Sequence, residues 1–405
     1  MEILTPRGFR FAAAAAEMRY RGRDDVGLIV ADAPATWAGV FTTSAAAGAP
    51  VARMRRRLRR RGGVRALLVN AGIANAGTGR AGLKDAHAAA RVAARRLRVR
   101  ARDVLCASTG SIGVRLPLDR FAAVLPGLVA GLAPGRAEEV ARAMMTTDLV
   151  PKLAAARCTV DGREVTLLGM AKGSGMIEPH MATMLAFLLT DAVAPGRFLQ
   201  GALEAAVDTS FNALTIDGDM STSDMAVVLA SGAAGNAPLG RRHPDAGAFR
   251  RALAEVTLGL TRQLARDGEG ATKVVEVTVC GARSRDEARR AARAVAGSAL
   301  VKSALSGARP AWGFMVAAMG AVGVEWAMER FGVTFGDAEL VAGGGFCGKE
   351  AEAAARRHLE GDTVRVGLDL GRGKGEFTYY GCDLTAEYVR VNAQPAVADP
   401  WAKRS

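Results

Sequence analysis

The segment 170-MAKGSGMIEPHMATMLAFLLTDA-192 joins a glycine-rich loop to an apolar run, and the interpretation of the chain starts from it. Two glycines flank Ser174 and a proline follows at position 179, a composition typical of a tight, irregular loop. The apolar run Met184–Leu189 predicts a buried strand. Thr183 therefore stands at the head of a strand, where its hydroxyl could serve as a nucleophile. Threonine is also common at strand starts, so composition alone favours a structural role.

Apolar runs that alternate with helical segments along most of the chain predict a mixed α/β (α+β) fold. The strand candidates are rich in Val, Leu and Ile and are bounded by Gly, Asp or Asn. The helix candidates carry apolar residues at helical spacing, and one opens with the capping box Ser284-Arg285-Asp286-Glu287. The predicted strands are Val26–Ala31, Val64–Asn70, Val104–Ala107, Val165–Met170, Met184–Leu189, Met225–Ala230, Val274–Val279, Val364–Leu370 and Tyr388–Val391. The predicted helices are Asp85–Leu97, Phe198–Val207, Ala248–Ala265, Arg285–Ala294 and Lys349–Leu359.

The composition predicts a soluble, cytoplasmic chain with a substantial core. Half of the 405 residues are apolar, which argues against disorder. No apolar run approaches the roughly 18 residues of a membrane span, and the N-terminal stretch lacks the layout of a signal peptide. The five cysteines are far apart and form no CxxC pair, and the four histidines do not cluster. We therefore expect neither a metal site nor a disulfide framework.

An excess of basic residues, 54 Lys and Arg against 40 Asp and Glu, raises the question of nucleic-acid binding. Much of it lies in stretches such as 53-RMRRRLRRR-61. Aromatic residues make up 5% of the chain, and none interleaves with these stretches as a base-stacking surface would require. A solvated helix face is the simpler interpretation. A basic surface could also steer anionic substrates towards a cleft.

The loop and strand around Thr183 resemble the self-processing site of the ornithine acetyltransferase family, also called bifunctional glutamate N-acetyltransferases. The matching residues are Lys172-Gly173-Ser174-Gly175-Met176 and Met181-Ala182-Thr183-Met184-Leu185. The resemblance implies autocatalytic cleavage between Ala182 and Thr183, which would give an α chain of residues 1–182 and a β chain of residues 183–405. The freed α-amino group of Thr183, with an ordinary pKa of about 8, would act as general base for its own hydroxyl.

A second motif, Ala107-Ser108-Thr109-Gly110-Ser111-Ile112-Gly113, resembles the oxyanion segment of the same family. The resemblance implies that the Thr109 hydroxyl and the Gly110 N–H donate to a tetrahedral oxyanion. In comparable sites one such donor contributes about 3–4 kcal/mol. Without the family context, Ser-Thr-Gly at a strand end is equally well explained as an ordinary turn.

Four further positions are implied as substrate contacts: Thr146, Lys172, Glu269 and Asn392. The ammonium group of Lys172 suits the α-carboxylate of ornithine or glutamate, and the carboxylate of Glu269 suits a substrate ammonium group. The resemblance extends over nearly the whole chain.

Two motifs invite other interpretations that the spacing does not favour. The block Asp217–Asp224 resembles a calcium loop, but Thr222 stands where an EF-hand needs glycine and the bidentate glutamate is missing. The block Gly343–Gly348 satisfies GxGxxG, but a dinucleotide site would need it inside a complete βαβ unit. We expect neither a calcium ion nor a dinucleotide.

Four positions depart from the family pattern. Ala311 and Phe314 replace polar residues of the family, and Ile73 stands where the family usually has asparagine. Val397 stands where a terminal threonine would touch substrate. A buried polar contact that is lost costs about 1–3 kcal/mol in recognition, so the acceptor range is less constrained than the fold.

The resemblance implies a two-lobed, layered fold of helices around β-sheets, similar to N-terminal-nucleophile enzymes. The implied reaction moves acetyl from N-acetylornithine to Thr183 and then to glutamate, as part of arginine biosynthesis. Acetyl-CoA is a further donor in bifunctional members of the family, and no tightly bound cofactor is implied. The α and β chains would pair, forming a heterotetramer, and the partners are small-molecule substrates rather than nucleic acid or membrane.

Three alternatives stay open at this point. A specialised paralogue would act on another acyl amino acid, a non-processing protein would only bind an amino acid, and a nucleic-acid-binding protein would show strongly salt-dependent binding.

Overall fold

The computed structural model describes residues 4–60, 62–178 and 184–393. The helices and strands there confirm the expected mixed α/β architecture, and they fall into two compact units that each hold one sheet. Of the described residues, the first unit comprises 4–60, 62–176, 184–212 and Met220–Leu260. The second takes Ile177, Glu178, Ala213–Asp219 and the chain from Thr261 onward. These units do not coincide with the expected α and β chains.

The described elements follow one another with short connections. In chain order they are β1 Phe9–Ala14, β2 Val26–Phe41, α1 Ala49–Leu58, β3 Val64–Asn70, α2 Gly79–Leu97, β4 Val104–Ser108, α3 Leu118–Ala130, α4 Ala137–Ala143, β5 Lys152–Val160, β6 Arg163–Lys172, β7 Leu185–Thr190, α5 Gly196–Asp208, β8 Leu214–Thr215, β9 Met225–Ala230, α6 Ala246–Arg266, β10 Val274–Ala282, α7 Arg285–Gly297, α8 Ala299–Ser306, α9 Trp312–Ala321, β11 Gly332–Phe335, β12 Ala338–Ala342, β13 Gly345–Phe346, α10 Lys349–Leu359, β14 Thr363–Asp369, β15 Gly375–Cys382 and α11 Ala386–Ala393.

The sheet of the first unit has the order β4-β3-β2-β9-β7-β6-β5, with β1 paired to β2. β7 lies inside this sheet, parallel to β9 and antiparallel to β6, and all six of its residues are buried. Such continuous burial explains the unbroken apolar run in the sequence, because both faces of a central strand are covered. The register pairs Leu185 with Lys172 and with Met225, so the head of β7 lies beside the end of β6 and the start of β9.

β3 and β4 are parallel neighbours, and their last residues, Asn70 and Ser108, are paired. The loops that follow the two strands therefore leave the sheet side by side. Alanines of α2 pack with Phe121 and Leu125 of α3 in the core beneath these strands. This packing fixes the ends of β3 and β4.

The sheet of the second unit has the order β13-β12-β11-β14-β10-β15-β8. The capping box at the start of α7 is present in part: the Ser284 hydroxyl accepts from the Glu287 N–H at 3.1 Å. The Glu287 carboxylate accepts from the Arg283 N–H at 2.8 Å instead of the reciprocal N–H at Ser284. The glycines of Gly343–Gly348 lie at an antiparallel hairpin, where β12 pairs with β13, rather than in a βαβ unit.

The predicted strand Tyr388–Val391 is wrong, because these residues lie within the helix α11. The run carries two valines, but Val389 is 63% exposed and is covered by no sheet. The Thr385 hydroxyl accepts from the Glu387 N–H at 3.1 Å and Arg390 pairs with Glu387, which are contacts that stabilise a helix start. Within the described ranges no helix is both long and apolar enough to cross a membrane.

Candidate active site

The turn after β4 holds Thr109 and Gly110 against the loop that follows β3. The Thr109 N–H donates to the Asn70 carbonyl at 3.0 Å, and the Ser111 N–H donates to the Gly72 carbonyl at 3.0 Å. Gly110 has φ +123°, and a Cβ there would lie 2.3 Å from the carbonyl carbon of Gly72. Glycine is therefore required at this turn by both conformation and space. With the Thr109 N–H committed, the Thr109 hydroxyl and the Gly110 N–H are the donors of this turn that could meet an oxyanion.

The stretch 70-NAGIANAGTG-79, at and after the end of β3, is held together by its own side-chain amides. Asn70 Nδ2 donates to the Ile73 carbonyl, and Asn75 Nδ2 donates to the Gly82 carbonyl, each at 2.9 Å. The Thr78 hydroxyl donates to Asn75 Oδ1 at 2.8 Å. The side chain of Ile73 is buried in the apolar cluster of β3 and α2. Ile73, which departs from the family pattern, is thus a residue of the apolar core.

A buried cluster of three charges lies at the end of β6. Lys172 Nζ is 2.8 Å from the Thr146 hydroxyl and 3.8 Å from Asp148 Oδ2. Asp148 Oδ1 is 2.7 Å from Lys152 Nζ and accepts from the Gly173 N–H at 2.6 Å. The side chains of Lys152 and Asp148 are fully buried, and that of Lys172 is 5% exposed.

These contacts decide the charge states in the cluster. Burial by itself would raise the pKa of the Asp148 carboxyl, but the charges of Lys172 and Lys152 hold it well below its ordinary value. Two buried ammonium groups share this one carboxylate. The end of β6 therefore suits a further negative charge, such as the α-carboxylate of an amino acid.

Asp224, directly before β9, is a second buried carboxyl with the opposite behaviour. Its residue is 0% exposed, and neither side-chain oxygen forms a hydrogen bond of standard geometry with residues 4–60, 62–178 and 184–393. Burial raises the pKa of the Asp224 carboxyl well above its usual range, and the nearby Met184 N–H and the charge of Lys172 only partly oppose that rise. The next residue, Met225, donates its N–H to the Met184 carbonyl at 3.0 Å. Asp224 thus lies beside the head of the strand that follows Thr183 in sequence.

The second unit brings Glu269 and Asn392 together. Asn392 Nδ2 donates to Glu269 Oε2 at 2.8 Å and to the Tyr388 carbonyl at 3.0 Å. Gly270 has φ +70°, and a Cβ there would lie 2.4 Å from the Tyr388 backbone nitrogen. The start of α11 is therefore packed directly on this glycine, which places Asn392 next to Glu269.

Glu178, which lies four residues before the expected cleavage site in sequence, is anchored in the second unit. Its carboxylate accepts from Arg293 Nε and from the Thr215 hydroxyl, each at 2.6 Å. The neighbouring Ile177 N–H donates to Asp217 Oδ1 at 2.9 Å. These contacts hold the chain immediately before residue 179.

The remaining positions of interest fall partly outside the described residues. Ala182 and Thr183 belong to the range 179–183, which the structure leaves undescribed, as it does Val397. Phe314 has a new contact in place of the family's polar residue, because the guanidinium of Arg309 lies 5.3 Å from its ring centroid. Ala311 precedes the first residue of α9.

Sequence reasoning missed three residues that shape the site. Asp148 and Lys152 lie two and six residues after Thr146, but only their burial beside Lys172 makes them notable. Asp224 closes the block considered as a calcium loop. Its position directly before the apolar run Met225–Ala230 was the only signal, and it was weak, because acidic side chains at strand ends are usually solvated.

Comparisons with known proteins agree with these motifs. The sequence model of the ArgJ family matches residues 10–395. The arginine biosynthesis bifunctional protein ArgJ of Geobacter sulfurreducens is 46% identical, over 96% of this chain and 98% of the relative. Its counterpart in Symbiobacterium thermophilum is 45% identical, over 96% of this chain and 97% of the relative. A crystal structure of arginine biosynthesis bifunctional protein ArgJ from Bacillus halodurans is 42% identical, with a TM-score of 0.49, over 50% of this chain and 95% of that chain.

Proposed function

The chain belongs to the ArgJ family, and from that premise we propose that it cuts itself between Ala182 and Thr183 and then carries acetyl on Thr183. It is an acyltransferase of arginine biosynthesis, an ornithine acetyltransferase and glutamate N-acetyltransferase. The observation that carries the proposed site is the buried cluster of Lys172, Asp148 and Lys152. Lys172 is paired across the sheet with Leu185, which lies two residues after Thr183 in sequence, so the cluster is close to the proposed nucleophile.

In the first half-reaction, Thr183 Oγ attacks the acetyl carbonyl of N-acetylornithine. The α-amino group of Thr183 takes the hydroxyl proton and passes it to the nitrogen of ornithine as the C–N bond breaks. The Thr109 hydroxyl and the Gly110 N–H hold the oxyanion of the tetrahedral intermediate. An acetyl ester on Thr183 and free ornithine are the products.

In the second half-reaction, the amine of glutamate attacks the ester carbonyl of acetyl-Thr183. A proton moves from this amine, through the α-amino group, to Thr183 Oγ, and N-acetylglutamate leaves. Lys172 and Thr146 bind the α-carboxylate of either amino acid, since the cluster holds one more ammonium group than carboxylate. Glu269 and Asn392, in contact with each other, bind the side-chain ammonium group of N-acetylornithine, which takes no part in the reaction.

The proposal extends to assembly, donor and compartment. Cleavage would leave β6 in one chain and β7 in the other, but the two strands are paired over six residues in one sheet. The α and β chains therefore stay together, and we place them in a cytoplasmic heterotetramer. Acetyl-CoA would serve as a second acetyl donor, with no tightly bound cofactor.

The intact mass of the purified protein tests the processing step, beside Thr183→Ala and Thr183→Ser variants. Fragments of residues 1–182 and 183–405 are expected in the parent and in Thr183→Ser, which keeps a hydroxyl nucleophile. Thr183→Ala is expected as one uncut chain without acetyl transfer. Cleavage of Thr183→Ala at the same bond, or an uncut parent, would overturn the proposal and favour a protein that only binds an amino acid.

The sequence departures at Ala311, Phe314 and Val397 favour one alternative, a specialised paralogue with another acyl amino acid as substrate. Initial rates of transfer from N-acetylornithine to a panel of amino acids decide between the two. The proposed function predicts a clear preference for glutamate as acceptor. Equal rates with unrelated amino acids would instead assign the paralogue.

A further inference from the structure

A cavity of about 580 Å³ in the first unit is lined by residues of α1, α2 and the short turn Ala101–Asp103. Seven arginines line it, and Asp103 is the carboxylate among its described lining residues. Thr109 follows β4, whereas Asp103 precedes it, so the two are about 20 Å apart at about 3.3 Å per strand residue. This cavity is therefore separate from the candidate active site.

The floor of the cavity holds two buried arginines, contrary to the interpretation of the basic run as a solvated helix face. Arg57 donates to backbone carbonyls of Arg60, Gly62, Gly63 and Arg102 and so forms part of the wall. Arg53 donates through Nη2 to the Ala101 carbonyl, but its Nε and Nη1 are buried and lack a partner among the described residues. A buried guanidinium with two unmade hydrogen bonds is costly unless an opposite charge lies near.

The rim carries exposed arginines that are free to contact a ligand directly. The side chains of Arg56, Arg60 and Arg91 form no hydrogen bond or ion pair with residues of the described ranges. Arg100, by contrast, is bonded to Asp103 at 2.7 Å. Asp103, the carboxylate among the described lining residues, is thus already paired, and most of the lining arginines have no acidic partner there.

We infer that this cavity binds a small anion with two or more linked phosphate groups. Guanidinium groups form bidentate, charge-assisted hydrogen bonds with phosphate oxygens, and several of them suit several phosphates better than a single carboxylate. The volume is that of a small-molecule site. A nucleic-acid strand fits less well, because no aromatic side chain lines the described part of the cavity for base stacking.

Binding to the processed, full-length protein tests the inference by calorimetry at constant ionic strength. The probes are inorganic tripolyphosphate, inorganic phosphate and a nucleoside triphosphate. Saturable 1:1 binding is expected for tripolyphosphate and is expected to be weaker for inorganic phosphate. Tighter binding of the nucleoside triphosphate would identify a nucleotide as the source of the phosphates, and equal binding would identify inorganic polyphosphate.

Two variants that remove one positive charge from the same helix, α2, separate a site from a basic surface. Arg91→Gln removes a lining residue, and Arg96→Gln removes an exposed arginine that does not line the cavity. Arg91→Gln is expected to weaken tripolyphosphate binding by about tenfold or more, as for one lost charge-assisted hydrogen bond, and Arg96→Gln to change it little. Equal weakening in both variants, or no saturable binding, would overturn the inference.

His87, which also lines the cavity, gives a second readout. Burial lowers the pKa of the His87 imidazole, and the charges of Arg53, Arg91 and Arg56 lower it further. A bound polyphosphate counters these charges, so the pKa of His87 is expected to rise in a histidine NMR titration assigned with His87→Gln. His358, in the second unit, is the internal control and is expected not to move. No change at His87 under saturating tripolyphosphate would place the anion elsewhere. Neither readout depends on acetyl transfer.

Discussion

At the residue scale, two buried carboxyls of one unit show how partners decide protonation. Asp148 lies between two lysines, and their charges hold its pKa well below the ordinary value despite burial. Asp224 is also buried, but its oxygens form no hydrogen bond of standard geometry within the described ranges and its pKa is raised. The same desolvation acts on both residues, and the difference comes from nearby ammonium groups. Asp148 is therefore a fixed charge, whereas Asp224 is shifted towards the neutral acid.

The raised pKa of Asp224 predicts how the stability of an Asp224→Asn variant depends on pH. Its raised pKa means that the folded chain binds a proton more tightly than the unfolded chain, whose ordinary value is about 4. The parent therefore loses stability as the pH rises from about 4 towards the folded pKa. Asparagine does not ionise, so the variant is expected to gain stability relative to the parent over that window and to match it more closely near pH 4.

Urea unfolding at a series of pH values measures this difference. The exposed Asp32, paired with Arg10, supplies the control Asp32→Asn, for which little change is expected at any pH. An Asp224→Asn variant that becomes less stable than the parent as the pH rises would contradict the argument.

A Gly110→Ala variant is expected to lose activity because its new side chain would clash with the backbone of Gly72. The new Cβ would meet the carbonyl of Gly72, so the turn has to move, and the two proposed oxyanion donors move with it. We expect kcat for acetyl transfer to fall about 10²–10³-fold, as when one oxyanion donor is lost. Gly113→Ala is the matched control, because Gly113 has φ +84° but open space around the Cβ position. Equal losses in both variants would point to backbone strain instead of the clash.

At the element scale, the sequence found the elements whose local signals agree with their packing. The helix predictions Asp85–Leu97 and Phe198–Val207 fall within the longer α2 and α5, because their buried alanine and apolar faces repeat at helical spacing. β2 was predicted as Val26–Ala31, but the strand continues to Phe41. The prediction stopped too early because the exposed Asp32 and Pro34 interrupt the apolar pattern. The run in α11 was taken for a strand because its helix start depends on contacts of Thr385 and Gly270 that the pattern does not contain.

The cap of α7 gives a prediction at this scale. Ser284→Ala removes the hydroxyl that accepts from the Glu287 N–H and is expected to lower the free energy of unfolding by about 1 kcal/mol. Ser303→Ala, at an exposed position inside α8, is the control and is expected to change it by less than about 0.5 kcal/mol. Urea midpoints at pH 7 compare the two. A loss at Ser303 as large as that at Ser284 would contradict a capping role.

At the scale of the whole molecule, the first unit's sheet is built from segments on both sides of the proposed cut. β7 and β9 follow residue 183 in sequence, and the sheet order places them between β2 and β6, which precede it. Side chains of all four strands share one apolar cluster. Separation of the two chains would expose this core and break two sets of strand hydrogen bonds.

The sheet order predicts that the processed chains co-elute as one species in size-exclusion chromatography. Since strands of both chains contribute side chains to the shared apolar cluster, the two chains are expected to separate only under denaturing conditions. The parent measured in buffer and in urea checks this, with the uncut Thr183→Ala variant as reference for the joined chain. Fragments that separate in buffer would contradict the shared sheet.

The sequence by itself determined the mixed α/β class, about half of the described helices and strands, and the family resemblance that predicts Thr109, Thr146 and Lys172 as site residues. These follow from local spacing and from motifs, which depend on residues near one another in the chain. Tertiary structure alone decided that Lys172 shares Asp148 with Lys152 and that Arg53 lies buried beneath a cavity. The reason is physical: burial and charge pairing depend on strands and helices that are distant in sequence, and no local pattern reports which of them become neighbours.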